Sequence, residues 1–383
     1  MSSRTTWRRP MVARSADEEH RASTPLELFF DLCFVVAVAQ AGALLHHGVA
    51  TNEPHAVLSY ILVFFAIWWA WMNFTWFASA YDCDDGPYRL TTLVQITGAL
   101  ILAAGIPRAF HGADFRVITV GYVVMRLAMV SQWLRAARAD PPRRAACLRF
   151  GFGYAVVQIG WVARLWLPAN WFLAGFLVLA AGEMVVPIWA ERAARTTWHP
   201  RHIAERYGLF TLIVLGETVL AATLAIQSAV DTGVARAGVL WVAAGGLVIV
   251  FSMWWLYFDR PAHELLGSAW TWMWGYGHCL VFASAAAVGA GLAVAVDHVT
   301  HEADVRASVA GFAVAVPVAV YRLVVWVLHV IPRGRGPVAV AFPVVAVLVL
   351  ATPLTPVPVQ LTAVLVAALV TAAVLTSSRV TTV

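Results

Sequence analysis

The chain has 383 residues, of which 61% are hydrophobic and only 12% are charged. These proportions exclude an ordinary soluble domain and indicate a polytopic membrane protein. The net charge of +5 lies mostly between the apolar runs, which favours a membrane-orientation signal over a nucleic-acid surface.

Twelve apolar runs are candidates for membrane spans. A helix that crosses a bilayer needs about 20 mainly apolar residues. We predict spans over 26–46, 57–79, 90–107, 115–135, 149–167, 170–190, 207–227, 237–258, 269–296, 305–331, 338–352 and 358–376. The eleventh run is short and lies between two prolines. The expected fold class is all-α, a polytopic transmembrane helix bundle of about 12 spans.

All the basic residues other than histidine are arginines, and their positions predict the orientation of the chain. If the N-terminus is cytoplasmic, 19 arginines fall on the inner side, five on the outer side and two inside spans. Positively charged loops are retained in the cytoplasm. We therefore expect an even number of spans and cytoplasmic N- and C-termini.

The two halves of the chain look alike. ELFFDLCFVVAV from Glu27 can be aligned with ERYGLFTLIVLG from Glu205, and Arg126 and Arg322 occupy matching places in the fourth and tenth spans. Six spans are an even number, so the two halves would be parallel. The predicted organisation is a disordered cytoplasmic tail (1–25), a first six-helix half (26–190), a cytoplasmic linker (191–206), a second six-helix half (207–376) and a C-terminal tail (377–383).

Ionisable residues inside the predicted spans are the candidate functional residues, because a charge at the bilayer centre is costly and must face protein or water. Glu27 and Asp31 are four residues apart and therefore share one helix face. An arginine of the fourth span is their expected partner. The candidate buried polar centre consists of Glu27, Asp31, Arg126, Glu217 and Arg322, with Glu183, Glu205 and His278 as secondary candidates.

Three interpretations of these charges remain open. They are structural ion pairs that fix the helix register, or they line a path for a cation or proton. In the second case we expect Asp31 and Glu217 to face water between the halves and to titrate or bind a cation. The third interpretation is snorkelling to the membrane interface, which suits Glu27 and Glu205 because they lie near helix ends.

Other chemistry-bearing patterns are weaker. The loop YDCDDG (81–86) collects three aspartates, but without the spacing of a calcium loop, so we expect a solvated acidic loop. The tryptophans at 68, 69 and 71 are expected to serve in packing. The histidines of the outer loops form no closed ligand set, and enzyme motifs are missing. We therefore expect no enzyme activity, no metal site and no cofactor.

Two stretches carry a family resemblance. TPLELFFDLCFVVAVAQ (24–40) and HIAERYGLFTLIVLGETVLA (202–221) resemble the bacterial low-temperature-requirement A (LtrA) membrane protein family. The resemblance runs from about Thr24 to the last helices. It implies an integral membrane protein of the bacterial inner membrane that is linked to growth in the cold, and it implies no known reaction.

A second resemblance concerns the fold alone. Phe30-Asp31 and the tryptophan-rich second span are similar to the corresponding parts of lysosomal-type potassium channels built from six-helix repeats. The serine of their Phe-Ser-Asp motif is absent, and Leu209 stands where the second repeat would carry an aspartate.

Together these features predict a channel or transporter for a small ion or solute. The alternative is a non-transporting membrane protein, such as a sensor, an assembly factor or a lipid-handling enzyme, whose buried charges are structural. The expected partners are the lipid bilayer and a small ion or solute, with no nucleic acid.

Overall fold

The computed structural model describes 7–15, 18, 21–231, 236–267, 270–333 and 337–380, and the regular secondary structure in these ranges is helical. The α-helices in these ranges are α1 (Pro25–Ala50), α2 (Ala56–Tyr81), α3 (Gly86–Gly112), α4 (Arg116–Ala139), α5 (Arg144–Ala163), α6 (Phe172–Glu191), α7 (Pro200–Asp231), α8 (Arg236–Phe258), α9 (Thr271–Thr300), α10 (Ala307–Val325), α11 (Pro337–Ala351) and α12 (Pro358–Val380). Short 3-10 turns and a π-helical turn (Trp326–Val330) extend some of them.

The predicted class, an all-α polytopic bundle, is confirmed. Within the described ranges, eleven helical segments are long and apolar enough to cross a membrane. Helix α11 has only 15 residues and is shorter than a full span. It starts at Pro337, and a 3-10 turn that contains Pro353 follows it, in keeping with the restrictions that proline places on helical backbone. The eleventh apolar run, which is short in the sequence, therefore forms a helix that is also short.

Helix α7 begins earlier than predicted, at Pro200 instead of residue 207. The Nδ1 atom of His199 accepts a hydrogen bond from the backbone N–H of His202 (3.4 Å). Proline is well suited to the first turn of a helix, where its missing N–H has no partner to lose. The prediction missed this start because hydropathy marks where a segment becomes apolar, whereas the first turns of α7 are polar. The second part of the predicted linker is consequently helical.

The chain divides into two compact units. Unit 1 contains 1–37 and 66–206, and unit 2 contains 38–65 and 207–383. Helices α1, α2 and α7 each contribute to both units. The predicted parallel six-helix halves remain a prediction.

Unit 1 is held together by close helix packing. A Cβ atom on Gly98 of α3 would collide with the backbone of Gly121 on α4, and the reverse also holds. Small residues at such crossings let helix backbones approach closely. On the cytoplasmic side predicted above, Met11 of the tail is fully buried, and the Arg21 guanidinium donates hydrogen bonds to the carbonyls of Ala78 and Ser79. The described part of the tail thus makes defined contacts instead of the expected disorder; residues 1–6, 16–17 and 19–20 lie outside the described ranges.

In unit 2, helices α9 and α10 pack as an antiparallel pair. Gly277 lies against Leu328 just beyond α10, and Gly291 lies against the backbone of Ala313. Gly291 has no room for a side chain, so this crossing depends on glycine. The C-terminal tail predicted over 377–383 is helical as far as Val380, and 381–383 lie outside the described ranges.

Candidate functional site

The first turn of α1 is built around Glu27. Its backbone N–H donates to the Thr24 hydroxyl (3.3 Å), and its Oε2 accepts from the backbone N–H of Thr24 (2.7 Å). This reciprocal pattern is a capping box, with Pro25 in the first helical position. The sequence TPLE therefore starts the helix and at the same time fixes the position of a carboxylate.

The first turns of α7 supply the partners of this carboxylate. His202 and Arg206 of α7 are four residues apart, as are Glu27 and Asp31 of α1. The Arg206 guanidinium lies 2.5 Å from Asp31 Oδ1 and 3.3 Å from Glu27 Oε1, and His202 Nε2 lies 3.2 Å from Glu27 Oε1. Trp71 of α2 donates its indole N–H to Asp31 Oδ1 (2.6 Å). We name these five residues the α1–α7 cluster.

The α1–α7 cluster is enclosed and its charge is unbalanced. Glu27, Asp31, His202 and Arg206 are all 0% exposed. Two carboxylates face one guanidinium, so these five residues carry one surplus negative charge when the imidazole is neutral. Arg21 and Asp82 also interact electrostatically with Glu27, but their opposite charges cancel when both are ionised. Asp31 Oδ2 and Arg206 Nε are buried and have no hydrogen-bond partner among the described residues. Buried polar atoms are normally paired, so Asp31 Oδ2 indicates a place where a proton, water or small cation can bind, whereas the Arg206 Nε–H is a donor that only an acceptor such as water can satisfy.

A second buried group in unit 1 is balanced. Arg126 of α4 pairs with Glu183 of α6 at 2.8 Å. Glu183 also accepts the indole N–H groups of Trp69 (2.8 Å) and Trp161 (3.2 Å). The Arg126 guanidinium lies over the Tyr154 ring, 4.5 Å from its centre. This α4–α6 cluster, formed by these five residues, is one cation and one anion with both carboxylate oxygens hydrogen-bonded.

The expected partnership of the fourth-span arginine with Glu27 and Asp31 is therefore wrong. Arg126 pairs with Glu183, which the sequence analysis ranked as secondary, and Arg206 takes the expected place. Arg206 was missed because it was assigned to the cytoplasmic linker. The matching four-residue spacings of ELFFD and HIAER were the signal that could have found it.

Helix α2 supplies donors to both clusters. Trp69 donates to Glu183 and Trp71 donates to Asp31. Residues two apart point to different sides of a helix, so α2 presents one indole to each cluster. The tryptophans predicted to serve in packing are thus also hydrogen-bond donors to buried carboxylates.

Comparison with known proteins places the chain in a family. The model of the family described as "Bacterial low temperature requirement A protein (LtrA)" matches residues 22–376. The chain belongs to the LtrA family. The two stretches that carried the resemblance meet in the α1–α7 cluster, since one supplies Glu27 and Asp31 and the other supplies His202 and Arg206.

One curated protein is similar in sequence to part of this LtrA-family chain. It is the uncharacterized protein RA0937 of Rhizobium meliloti (strain 1021), which is 28% identical over 254 residues. The alignment covers 63% of this chain and 59% of that protein. The chain therefore spans less than two thirds of the length of the relative that it matches.

The remaining candidates of the predicted polar centre lie outside the two clusters. Glu205, in the LtrA-type motif of α7, accepts the backbone N–H of Ser23 (3.1 Å). In unit 2, Glu217 is half-buried, and His278 is fully buried between the carbonyl of Trp274 (2.6 Å) and the hydroxyl of Tyr257 (2.9 Å). Arg322 is fully buried and donates to a backbone carbonyl.

The acidic loop 81–86 is not the solvated loop that was expected. Asp82 is only 7% exposed, and burial, together with repulsion from Glu27, raises the pKa of its carboxyl to about 6. Asp85 is 1% exposed. Burial alone would raise the pKa of Asp85, but hydrogen bonds from Arg135 and from the backbone N–H groups of Arg9 and Tyr88 outweigh it and lower this pKa. These two carboxylates are tied to the fold of unit 1.

Proposed function

We propose that this LtrA-family protein is a channel or transporter for a small ion or solute, and that Asp31 holds an exchangeable proton or small cation. The observation that carries the proposal is the surplus negative charge of the α1–α7 cluster. An uncompensated charge that is 0% exposed costs several kcal/mol, so a proton or a cation must balance it.

The surplus charge is not needed to hold helices in register. The α4–α6 cluster links two helices with a single neutral ion pair and leaves no carboxylate oxygen unpaired. A second carboxylate opposite Arg206 adds cost without a matching charge. It gives the α1–α7 cluster an occupied and an unoccupied state, which is what a transport site requires.

The alternative is a non-transporting membrane protein, a sensor, an assembly factor or a lipid-handling enzyme, whose buried charges are structural. The neutrality of the α4–α6 cluster supports a structural role for that pair. The two proposals differ in what they assign to Asp31.

We also propose that the protein lies in the bacterial inner membrane with both termini in the cytoplasm. The arginine distribution supports this orientation. It would place the acidic loop 81–86 and the start of α7 on the cytoplasmic side, so that the α1–α7 cluster would exchange its proton or cation with the cytoplasm.

Flux in proteoliposomes tests the transport proposal. Purified protein is reconstituted, and K⁺, Na⁺ and H⁺ movement is followed with potential- and pH-sensitive dyes. We expect flux that Asp31→Asn abolishes and that Asp84→Asn, a change to an exposed loop aspartate with an arginine partner, leaves intact. Glu217→Gln tests the second carboxylate predicted from the sequence. Flux that survives Asp31→Asn in a folded protein would contradict the proposed role of Asp31.

A further inference from the structure

Arg322 near the end of α10 is a buried arginine that has no acidic partner among the described residues. Its side chain is 0% exposed. Its Nη2 donates to the carbonyl oxygen of Phe342 (2.9 Å), whose ring centre lies 5.9 Å from the guanidinium carbon. Its Nε and Nη1 atoms are buried and have no acceptor among the described residues. Two charged N–H groups are therefore available to a ligand.

The neighbouring helices offer no carboxylate to Arg322. Helix α10 packs against α8, α9, α11 and α12. In these four helices and in α10 itself, the sequence contains a single acid, Asp297 of α9. Asp297 is already in contact with His46 at 2.6 Å. Glu217 of α7 forms no ion pair with Arg322 within the described part of unit 2.

The register of α9 and α10 also keeps Asp297 away. The opposed pairs Gly277–Leu328 and Gly291–Ala313 place Arg322 level with about residue 283 of α9. Asp297 is about 14 residues further along that helix, or roughly 21 Å at 1.5 Å per residue. This separation is far beyond ion-pair distance.

A third donor lies one helical turn beyond Arg322. The indole Nε1 of Trp326 is buried and has no acceptor in the described ranges. Residues four apart share one face of a helix. Trp326 also opens the π-helical turn that ends at Val330, and such turns are frequent at functional sites.

Unit 1 contains a counterpart of Arg322 that does have an acidic partner. Arg126 and Arg322 occupy matching places in the predicted repeat, and Arg126 is neutralised by Glu183 of α6. Helix α12 would correspond to α6, and its sequence contains no Asp or Glu. An external anion would thus take the place of the missing carboxylate.

We propose that Arg322 and Trp326 form a binding site for one small monovalent inorganic anion of the chloride type. One guanidinium balances one negative charge, and the enclosure by apolar helices favours an ion over a large solute. The site lies in unit 2 and does not rest on the transport role proposed for Asp31.

Equilibrium binding of radioactive chloride to the full chain in detergent, with gluconate as the replacing anion, tests this site. We expect one saturable site per chain, displaced by bromide or nitrate. Arg322→Gln should abolish binding. Arg306→Gln is the matched control, because Arg306 precedes the same helix but is exposed, and it should leave binding unchanged.

Two milder variants keep the proposal testable if Arg322→Gln does not fold. Trp326→Phe keeps an aromatic ring and removes the N–H donor, so chloride affinity should fall roughly tenfold. Arg322→Lys keeps the charge and should bind more weakly than the wild type. Absence of saturable chloride binding in the wild type, binding that persists in Arg322→Gln, or unchanged affinity in Trp326→Phe would overturn the proposal.

Discussion

Asp31→Asn and Glu183→Gln remove the same chemical group from two buried sites, and we expect them to affect stability very differently. Glu183 is the single counter-ion of Arg126, whose side chain is only 4% exposed. Its neutralisation leaves a buried guanidinium uncompensated. Breaking a buried pair in this way typically costs about 3–5 kcal/mol.

The same change at Asp31 removes a surplus charge. The contact between Arg206 and Asp31 at 2.5 Å is lost as a charged pair, at a cost of about 1.5–3 kcal/mol. Arg206 keeps Glu27 at 3.3 Å, and the cluster becomes neutral. The asparagine oxygen can still accept the Trp71 N–H. We expect these effects to offset each other, with a net change within about 1 kcal/mol.

Equilibrium unfolding in mixed micelles with increasing SDS measures both free energies against the wild type. Asp84→Asn is the control, because this aspartate is exposed and its loss should be within error. If Asp31→Asn destabilises the protein as much as Glu183→Gln, fixed charges of the protein balance Asp31 in the wild type without a bound proton or cation, and the reasoning is refuted.

Three further predictions concern Arg206 and the two buried aspartates of the loop 81–86. Arg206→Gln leaves two buried carboxylates without their arginine partner and should reduce the yield of monodisperse protein on size-exclusion chromatography. The double variant Arg206→Gln with Asp31→Asn should recover part of this yield. Equal yields of the single and double variants would contradict the charge count. The Asp82 pKa of about 6 means that the folded protein holds this proton more tightly than the unfolded chain. The contribution of Asp82 to stability should therefore be greatest below about pH 4 and fall by up to about 3 kcal/mol as the pH rises through 6. Thermal unfolding from pH 4 to 7 should show this fall in the wild type and a flatter profile in Asp82→Asn. Asp85→Ala removes the acceptor for Tyr88 N–H at the start of α3 and the partner of Arg135, so it should lower the melting temperature by several degrees; a shift no larger than that of Asp84→Ala would refute this role.

Helix class and number followed closely from the sequence because they depend on apolar run length, which a bilayer restricts to about 20 residues. Helix starts did not follow, since they depend on local hydrogen bonds. The start of α7 at Pro200 lies in a polar segment, and this error removed Arg206 from the candidate site. The common face of Glu27 and Asp31 was predicted correctly from their spacing, and both contact Arg206.

The ion-pair partners could not be predicted from the sequence, for a different reason. Depth along a helix can be estimated from the residue count, but the direction of each side chain depends on how the helices are rotated and packed. Arg126 was the expected partner of Glu27 and Asp31, and packing directs it to Glu183 instead. A tryptophan-rich apolar span is also typical of simple packing. The sequence therefore did not show that Trp69 and Trp71 donate hydrogen bonds, which depends on how the helices pack.

Infrared difference spectroscopy of the purified protein tests most directly whether Asp31 holds an exchangeable proton or cation. Spectra are recorded while the pH, or the K⁺ and Na⁺ content, is switched. We expect carboxyl or carboxylate bands that change with the switch and disappear from the difference spectrum in Asp31→Asn, with Asp84→Asn behaving like the wild type. Spectra of wild type and Asp31→Asn that show the same changes would contradict it, because the charge of the α1–α7 cluster would then be fixed.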